Sequence, residues 1–348
     1  MMKVLMKTET LPISISEISP KFLELFRQAG RVLILSHQNP DGDAIGSAVG
    51  LASAIENRGG PRADLYLAGD WSDHLAFLLD GFSIKPDLTG LDAYDLVVLL
   101  DCHSLTRLGP YGPLVKAGLA ALSSPPPVVV IDHHLLDNDD PIEGEKVHQP
   151  TASSTGELVW RVLKTLGWNI PRPGLQGLLL ALVSDTGFFS QSNTTAGALQ
   201  AAADLVACGG DLEVINRRLK QGLPLRRLKI MGLALGSLKL YLDGQVAVML
   251  VTPEMLQTAG AMMTDTEDFV EFGRSLEGVT LSVLIKDPGL GRGQIKVSLR
   301  SRDQVDASVL AKYFNGGGHR QASAYNDEKA VNAREAADNF MAVVERFL

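Results

Sequence analysis

Cysteine is scarce in this chain of 348 residues, since only Cys102 and Cys208 occur. Two cysteines exclude a disulfide framework and a zinc site built from thiolates, so any bound metal must be held by histidine and carboxylate side chains. None of the apolar runs approaches the length of about 20 residues that a membrane span requires. We therefore expect a cytoplasmic protein that has no membrane partner.

A basic surface is also missing. The 40 acidic residues outnumber the 32 lysines and arginines, which gives a formal net charge of -8. Binding along a long phosphate backbone needs a basic footprint, so long duplex nucleic acid is excluded as a partner. A local basic patch could still hold short single-stranded RNA or a small nucleotide. The 45% apolar composition, with 21% charged residues, indicates a globular chain and excludes a disordered one.

Short, uniformly apolar runs alternate with helical patterns in the first half of the chain. The strand-like runs are "RVLILS", "ADLYLAG", "DLVVLLD" and "PPVVVIDHH". Such runs are typical of parallel strands buried between helices, so we predict an α/β domain with a mainly parallel sheet flanked by helices. Helical patterns dominate residues 151–221, and "LRRLKIMGLALGSLKL" predicts a long bridging helix.

The period of the pattern changes at about residue 240. Asp243-Gly244 indicates a hairpin, and "GVTLSVLIKD" and "GQIKVSLRSR" predict two further strands. The change predicts a smaller α+β domain with a cleft between the two domains. The predicted boundaries are a catalytic domain at 19–222, a linker helix at 223–239 and a second domain at 240–348.

Acidic and imidazole groups follow three of the predicted strands. His37 follows the first strand, Asp101 a later one, and Asp132, His133 and His134 the last. Ligands bind at the carboxyl edge of open α/β sheets, so these groups should meet there. Buried carboxylates would repel each other without cations, which predicts a metal centre.

The mixture of oxygen and nitrogen ligands suits Mn²⁺, with Mg²⁺, Co²⁺, Fe²⁺ and Zn²⁺ as alternatives. Asp185 ends an apolar helical run, and we expect it to join the same cluster. Two ions about 3.5–4 Å apart are the usual clamp for displacement at phosphorus. The sequence therefore predicts phosphoester hydrolysis.

Five segments carry a resemblance to a known family. "HQNPDGDAIGS", "LLDCHSLTRLG", "VVVIDHH" and "LVSDTGFF" resemble, in order and spacing, the four motifs of the DHH phosphoesterases. "FNGGGHRQASA" resembles the glycine-rich signature of the associated DHHA1 domain. The arrangement is most similar to the bacterial branch that hydrolyses very short oligoribonucleotides to mononucleotides and converts 3′-phosphoadenosine 5′-phosphate (pAp) to AMP. It also makes a homodimer an expected state.

The resemblance implies roles for individual residues of the first domain. Asp132 would orient its neighbouring histidine, His134 would face the scissile phosphate, and Arg107 would contact that phosphate. The implied metal ligands are His37 and Asp41 for one ion, Asp43, His133 and Asp185 for the other, and Asp101 as a bridge.

The implied substrate contacts of the second domain are backbone N–H groups and basic side chains, a combination suited to a terminal phosphate. They are Gly316, Gly317, Gly318, His319 and Arg320, together with Arg300 and Arg302 on one strand face. A fixed distance from the metal centre to this phosphate pocket would favour short substrates.

Two other functions stay open. The first is hydrolysis of cyclic di-AMP or linear pApA, and the second is nucleotide binding without turnover by a regulatory protein. Two positions depart from the family pattern. His103 beside Asp101 is either a substrate contact or simply exposed, and Ser323 stands in the small-residue run after the glycines.

Overall fold

The computed structural model describes residues 18–69, 71, 73–135, 140–220, 223–291, 294–302 and 305–347, without the side chains of residues 73, 74, 220 and 319. The chain divides into two compact units between residues 221 and 222. The domain boundaries given above remain predictions. In the described part of the chain, every helix is too short or too polar to traverse a lipid bilayer.

The first unit is an α/β layer structure, as predicted. Its helices are α1 (Pro20–Gln28), α2 (Gly42–Glu56), α3 (Gly112–Ala120), α4 (Thr155–Leu166), α5 (Arg172–Asp185), α6 (Ala196–Ala207) and α7 (Leu212–Lys220). Its strands are β1 (Arg31–Ser36), β2 (Arg62–Tyr66), β3 (Ser83–Ile84), β4 (Leu96–Leu100), β5 (Val128–Asp132) and β6 (Glu145–His148).

All six strands run parallel, in the order β3-β2-β1-β4-β5-β6. The middle strands β1 and β4 are buried on both faces, because apolar clusters lie on each side of the sheet. Parallel neighbours bring the carboxyl ends of β1, β4 and β5 to the same edge. This edge carries the polar groups that follow each strand.

The second unit contains a mixed sheet. Its helices are α8 (Leu225–Gly236), α9 (Pro253–Ala259), α10 (Val270–Arg274), α11 (Ala307–Tyr313) and α12 (Ala333–Val344). Its strands are β7 (Lys239–Tyr241), β8 (Val246–Val251), β9 (Leu281–Lys286), β10 (Ile295–Ser301), β11 (Gly317–His319) and β12 (Ala322–Asp327). The strand order is β11-β12-β10-β9-β8-β7, and only β8 and β9 are parallel to each other.

Several elements differ from the sequence predictions. The bridging helix ends at Gly236 and its continuation enters β7, while Ile230 and Ala234 are buried in the core of the second unit. The short strands β3 and β6 gave no strand signal, since each holds only a few residues between turns. The helical pattern between the second and third strand-like runs forms only a 3₁₀ helix, at Asp73–Leu78.

Helices α2 and α5 are in unusually close contact. Every residue of α2 from Gly42 to Ile55 is buried. A Cβ atom added to Gly46 would lie 2.3 Å from the carbonyl oxygen of Gly177 and 2.9 Å from the backbone nitrogen of Ala181. Glycine is therefore required at position 46 because the two backbones meet there.

Gly46→Ala should destabilise the protein by about 1–3 kcal/mol, since the added methyl group forces the two helices apart. Gly232→Ala is the matched control: Gly232 lies in α8 with open space around its missing Cβ, so alanine should stabilise that helix by about 1 kcal/mol. Urea unfolding of both variants measures the difference. A gain of stability in both would contradict the close helix contact.

Candidate metal centre

Three loops at the carboxyl edge of the first sheet deliver the polar groups. His37 follows β1, Asp101 follows β4, and Asp132 ends β5 directly before His133 and His134. Asp185 is the last residue of α5 and reaches the same place. The structure thus brings together the residues for which the sequence predicts metal binding.

The loop after β1 turns sharply into α2. Asp41 caps the helix, because its carboxylate accepts hydrogen bonds from the backbone nitrogens of Asp43 (3.0 Å) and Ala44 (3.1 Å). The capping function of Asp41 leaves its side chain 59% exposed, whereas Asp43 in the first turn is fully buried. One short loop therefore supplies an exposed and a buried carboxylate.

Asp101 lies at the centre of the cluster. Its backbone has a φ of 59°, a left-handed conformation that costs a non-glycine residue energy and points to a functional constraint. The Thr155 hydroxyl donates to Asp101 Oδ1 over 2.9 Å. Asp101 Oδ2 lies 3.3 Å from His37 Nε2, and Oδ1 lies 3.6 Å from His133 Nε2.

Asp101 belongs to two groups that could each hold an ion. Groups of three side chains whose ligand atoms lie within 4.8 Å of one another comprise His37, Asp41 and Asp101; Asp43, His133 and Asp185; and Asp101, His133 and His134. Asp101 is not a member of the second of these groups, but His133 of that group lies 3.6 Å from Asp101 Oδ1. This arrangement has the form of two neighbouring sites with one central carboxylate.

The imidazoles of His37 and His133 are oriented as ligands. His37 Nδ1 donates to the Gln38 carbonyl over 3.0 Å, and His133 Nδ1 donates to the Ala152 carbonyl over 3.3 Å. In both residues Nε2 consequently faces the carboxylates. His133 Nε2 is buried and makes no hydrogen bond with the described residues, although it lies 3.1 Å from Asp185 Oδ2. A divalent cation fits this donor set.

The electrostatics of the metal-free cluster also favour a cation. Burial, and then the charges of Asp101, Asp185 and Asp41, raise the pKa of Asp43 well above its usual range. This occurs although backbone nitrogens of Thr155 (2.6 Å) and Gly156 (2.9 Å) donate to Asp43 at the start of α4. A bound cation would relieve the repulsion that opposes ionisation.

His134 is held differently from the two other histidines. Its Nδ1 donates to Asp132 Oδ1 over 2.8 Å, and its Nε2 accepts from the guanidinium of Arg107 over 3.0 Å. Because arginine can only donate, the proton of the neutral ring resides on Nδ1. Both ring nitrogens of His134 therefore have protein partners, whereas His37 and His133 direct Nε2 toward the carboxylates.

The Asp132 carboxylate contacts His134 and His103. His133 is oriented by the backbone carbonyl of Ala152 and not by Asp132. His103 lies 2.5 Å from Asp132 Oδ2 and is only 3% exposed. Burial contradicts both alternatives offered for His103 from the sequence, a substrate contact or an exposed side chain. Hydrogen bonds from both histidines lower the pKa of Asp132 despite its burial, which keeps the carboxylate ionised.

Sequence reasoning missed His148. Its Nε2 donates to the backbone carbonyl of His134 over 2.6 Å, so it supports the loop that carries the catalytic candidate. His148 and Asp132 are register partners in β5 and β6. The signal was absent because a strand of four residues, "EKVH", gives too little pattern to predict.

The glycine-rich segment of the second unit is an edge strand. Gly317 and Gly318 pair with Ala324 and Ser323, and the Gly316 nitrogen donates to the Ala311 carbonyl over 2.8 Å. The expectation of a row of free N–H groups is therefore wrong at Gly316. A Cβ atom on Gly316 would lie 2.3 Å from the Ala324 carbonyl oxygen. Glycine is required at this position because the two backbones approach each other closely.

The arginines of this unit have different surroundings. Arg300 is half-buried and bonds to Glu271 through its Nε over 3.0 Å, while Arg302 and Arg320 are exposed. The His319 side chain lies outside the described part of the structure. Ser323 is buried on the strand next to Gly318.

Two family models match the chain. The DHH family N-terminal domain matches residues 31–183, which include every residue of the cluster except Asp185, and the DHHA1 domain matches residues 243–348. A Thermus thermophilus protein named bifunctional oligoribonuclease and PAP phosphatase is 32% identical over 298 residues, covering 84% of this chain and 83% of that protein. The chain belongs to the DHH family. The resemblance found in the sequence motifs is thereby confirmed.

Two further proteins are similar to this chain over different lengths. A probable manganese-dependent inorganic pyrophosphatase of Streptococcus agalactiae is 25% identical over 185 residues, covering 52% of this chain and 56% of that protein. The crystal structure of an exopolyphosphatase-related protein from Bacteroides fragilis superposes with a TM-score of 0.83 at 28% identity, covering 94% of this chain and 95% of that one.

Metal affinity should rise with pH between about 7 and 9. Burial opposes protonation of His133, but contact with Asp185 and the charges of Asp101 and Asp132 raise its pKa to about 9. The raised pKa means that metal-free His133 binds a proton below about pH 9, and a metal must displace it. Calorimetry of Mn²⁺ binding in buffers of different ionisation enthalpy should detect proton release at pH 7. Equal affinity from pH 6 to 9 would contradict this.

His103→Ala should lower kcat about tenfold while KM and metal content stay near wild type, because the Asp132 carboxylate loses one of its three N–H donors and the only one on Oδ2 among the described residues. His103→Asn retains an N–H donor and should recover part of the activity. Steady-state kinetics and metal analysis of both variants test this. Unchanged kcat in His103→Ala would show that His103 does not position Asp132.

Proposed function

We propose that this chain is a metal-dependent phosphoesterase that hydrolyses very short oligoribonucleotides to mononucleotides and pAp to AMP. The observation that carries the proposal is the placement of Asp101 between two groups of metal-ligand side chains, in a DHH chain whose Thermus relative is named for both activities. Clustered carboxylates with neighbouring imidazoles at a sheet edge suit displacement at phosphorus.

We propose two ions, with Mn²⁺ as the preferred metal. His37 and Asp41 would hold one, Asp43, His133 and Asp185 the other, and Asp101 would bridge them. The mixed oxygen and nitrogen donors and the manganese-dependent relative support this choice. When bound, the ions would supply Lewis acidity toward the phosphate and an activated water.

Arg107 and His134 would act on the reacting phosphate. The half-buried Arg107 uses one N–H on His134 and retains other donors for a phosphate oxygen. Since Asp132 holds the Nδ1–H of His134, the ring would exchange protons at Nε2 once the Arg107 N–H bonded there turns to a phosphate oxygen. A proton taken up at Nε2 would be delivered to the leaving oxygen.

The second unit would bind the terminal phosphate of the substrate. Arg320 and Arg302 are exposed, and Arg300 lies on the same sheet, so the unit offers basic groups beside the glycine-rich strand. A substrate whose terminal phosphate is bound there would gain no binding energy from additional nucleotides beyond the site. The expected homodimer and cytoplasmic location follow from the family resemblance and the sequence, and they stay predictions.

Asp101→Asn should reduce turnover of pAp and of a ribonucleotide dimer at least a thousandfold, or by about 4 kcal/mol in the barrier, because it removes the shared carboxylate. Asp92→Asn is the matched control, since Asp92 is exposed just before the same strand β4. The assay uses purified protein with Mn²⁺ and compares a dimer, a five-mer, a 24-mer, pAp, pApA and cyclic di-AMP.

Rapid hydrolysis of the dimer and pAp, with little hydrolysis of the 24-mer, is the expected result for wild type and for Asp92→Asn. Preferred hydrolysis of cyclic di-AMP would replace the proposed substrate class. Wild-type activity in Asp101→Asn would remove the proposed metal centre.

A further inference from the structure

One face of the second sheet carries a row of polar side chains beside the glycine-rich strand. Lys296, Ser298 and Arg300 alternate along β10 with the buried Val297 and Leu299, so all three lie on the same face. The β12 partners of this row have short side chains and are partly or fully exposed; they are Asn326, Ala324 and Ala322.

Two lysines oppose each other on this face. Lys286 in β9 is the direct register partner of Lys296 in β10, and their side chains consequently share the face. Like charges directly opposite each other destabilise an antiparallel pair. Neither lysine forms an ion pair within the described part of the second unit. Arg300, in contrast, pairs with Glu271 over 3.0 Å.

The surroundings of Lys286 disfavour the charged form of its amine. Lys286 is half-buried, and burial, followed by the charge of Lys296, lowers its pKa, with Arg300 acting in the same direction. Glu267 and Asp268 act in the opposite direction without forming an ion pair with it. An anion placed between the two lysines would remove this repulsion.

We propose that Lys286 and Lys296 form a phosphate-binding site that holds an internal phosphate of a short oligoribonucleotide. Lys296 and Arg300 are four residues apart, about 13 Å along the strand, so the row is longer than a single phosphate group. The short side chains of β12 and the exposed Gly317 and Gly318 of β11 leave this side of the row open to a nucleotide chain. On the β9 side of the same face, Leu284 and Ser282 are buried. The inference rests on the proposed function for its substrate, and it adds a contact beyond the terminal phosphate.

The test uses the full-length variants Lys286→Met and Lys296→Met. Lys312→Met is the matched control, because Lys312 is exposed on α11, whose buried residues pack on the core at the opposite face of the sheet. The measurement is kcat/KM for a five-nucleotide RNA and for pAp across a series of salt concentrations. Each lysine variant should lose about tenfold on the RNA, and less on pAp.

The salt dependence gives an independent readout. The slope of log kcat/KM against log salt for the RNA should become less steep by about 0.7 for each lysine removed. Removing one of the opposed lysines should also raise the melting temperature, because the like-charge pair is relieved. Kinetics and melting temperatures equal to those of Lys312→Met would overturn the site, as would weaker binding together with a lower melting temperature.

Direct binding separates this inference from the proposed function. Fluorescence anisotropy of the labelled RNA with EDTA-treated full-length protein measures binding without hydrolysis. If wild type hydrolyses nothing but the two lysine variants bind the RNA more weakly than Lys312→Met, the proposed function fails and the site stands. If wild type and both variants bind equally, or wild type does not bind, the site is overturned.

Discussion

The burial of negative charge at the carboxyl edge of the first sheet is the constraint on which the rest of the structure depends. Asp43 and Asp101 are almost entirely buried, with Asp185 and Asp41 close by. The fold tolerates this charge because backbone nitrogens at the start of α4, the Thr155 hydroxyl and two imidazoles face it. A bound divalent cation would relieve the repulsion that remains.

The histidines of the site are oriented in two different ways. His37 and His133 are anchored through Nδ1 to backbone carbonyls, which leaves Nε2 toward the carboxylates. His134 is anchored through Nδ1 to Asp132, and its Nε2 meets a guanidinium. The neighbouring His133 and His134 thus differ in which ring nitrogen is anchored and in what the other nitrogen meets.

The sequence predicted the parallel sheet and the clustering of its polar groups, because three of the four strand-like apolar runs were directly followed by an acidic or imidazole residue. It did not predict the roles of His103 and His148. His103 follows β4 and contacts the Asp132 side chain, which no local sequence pattern indicates. His148 ends β6, and the weak strand signal of β6 hid the pairing of His148 with Asp132. The sequence also did not predict that the glycine-rich segment pairs as an edge strand, with a close backbone approach at Gly316.

Diffraction at the manganese absorption edge from crystals of Mn²⁺-loaded protein tests the central claim most directly. The account predicts two anomalous peaks on either side of Asp101, one beside His37 and Asp41 and one beside Asp43, His133 and Asp185. A single peak, or peaks that do not contact Asp101, would contradict a centre in which this carboxylate bridges two ions.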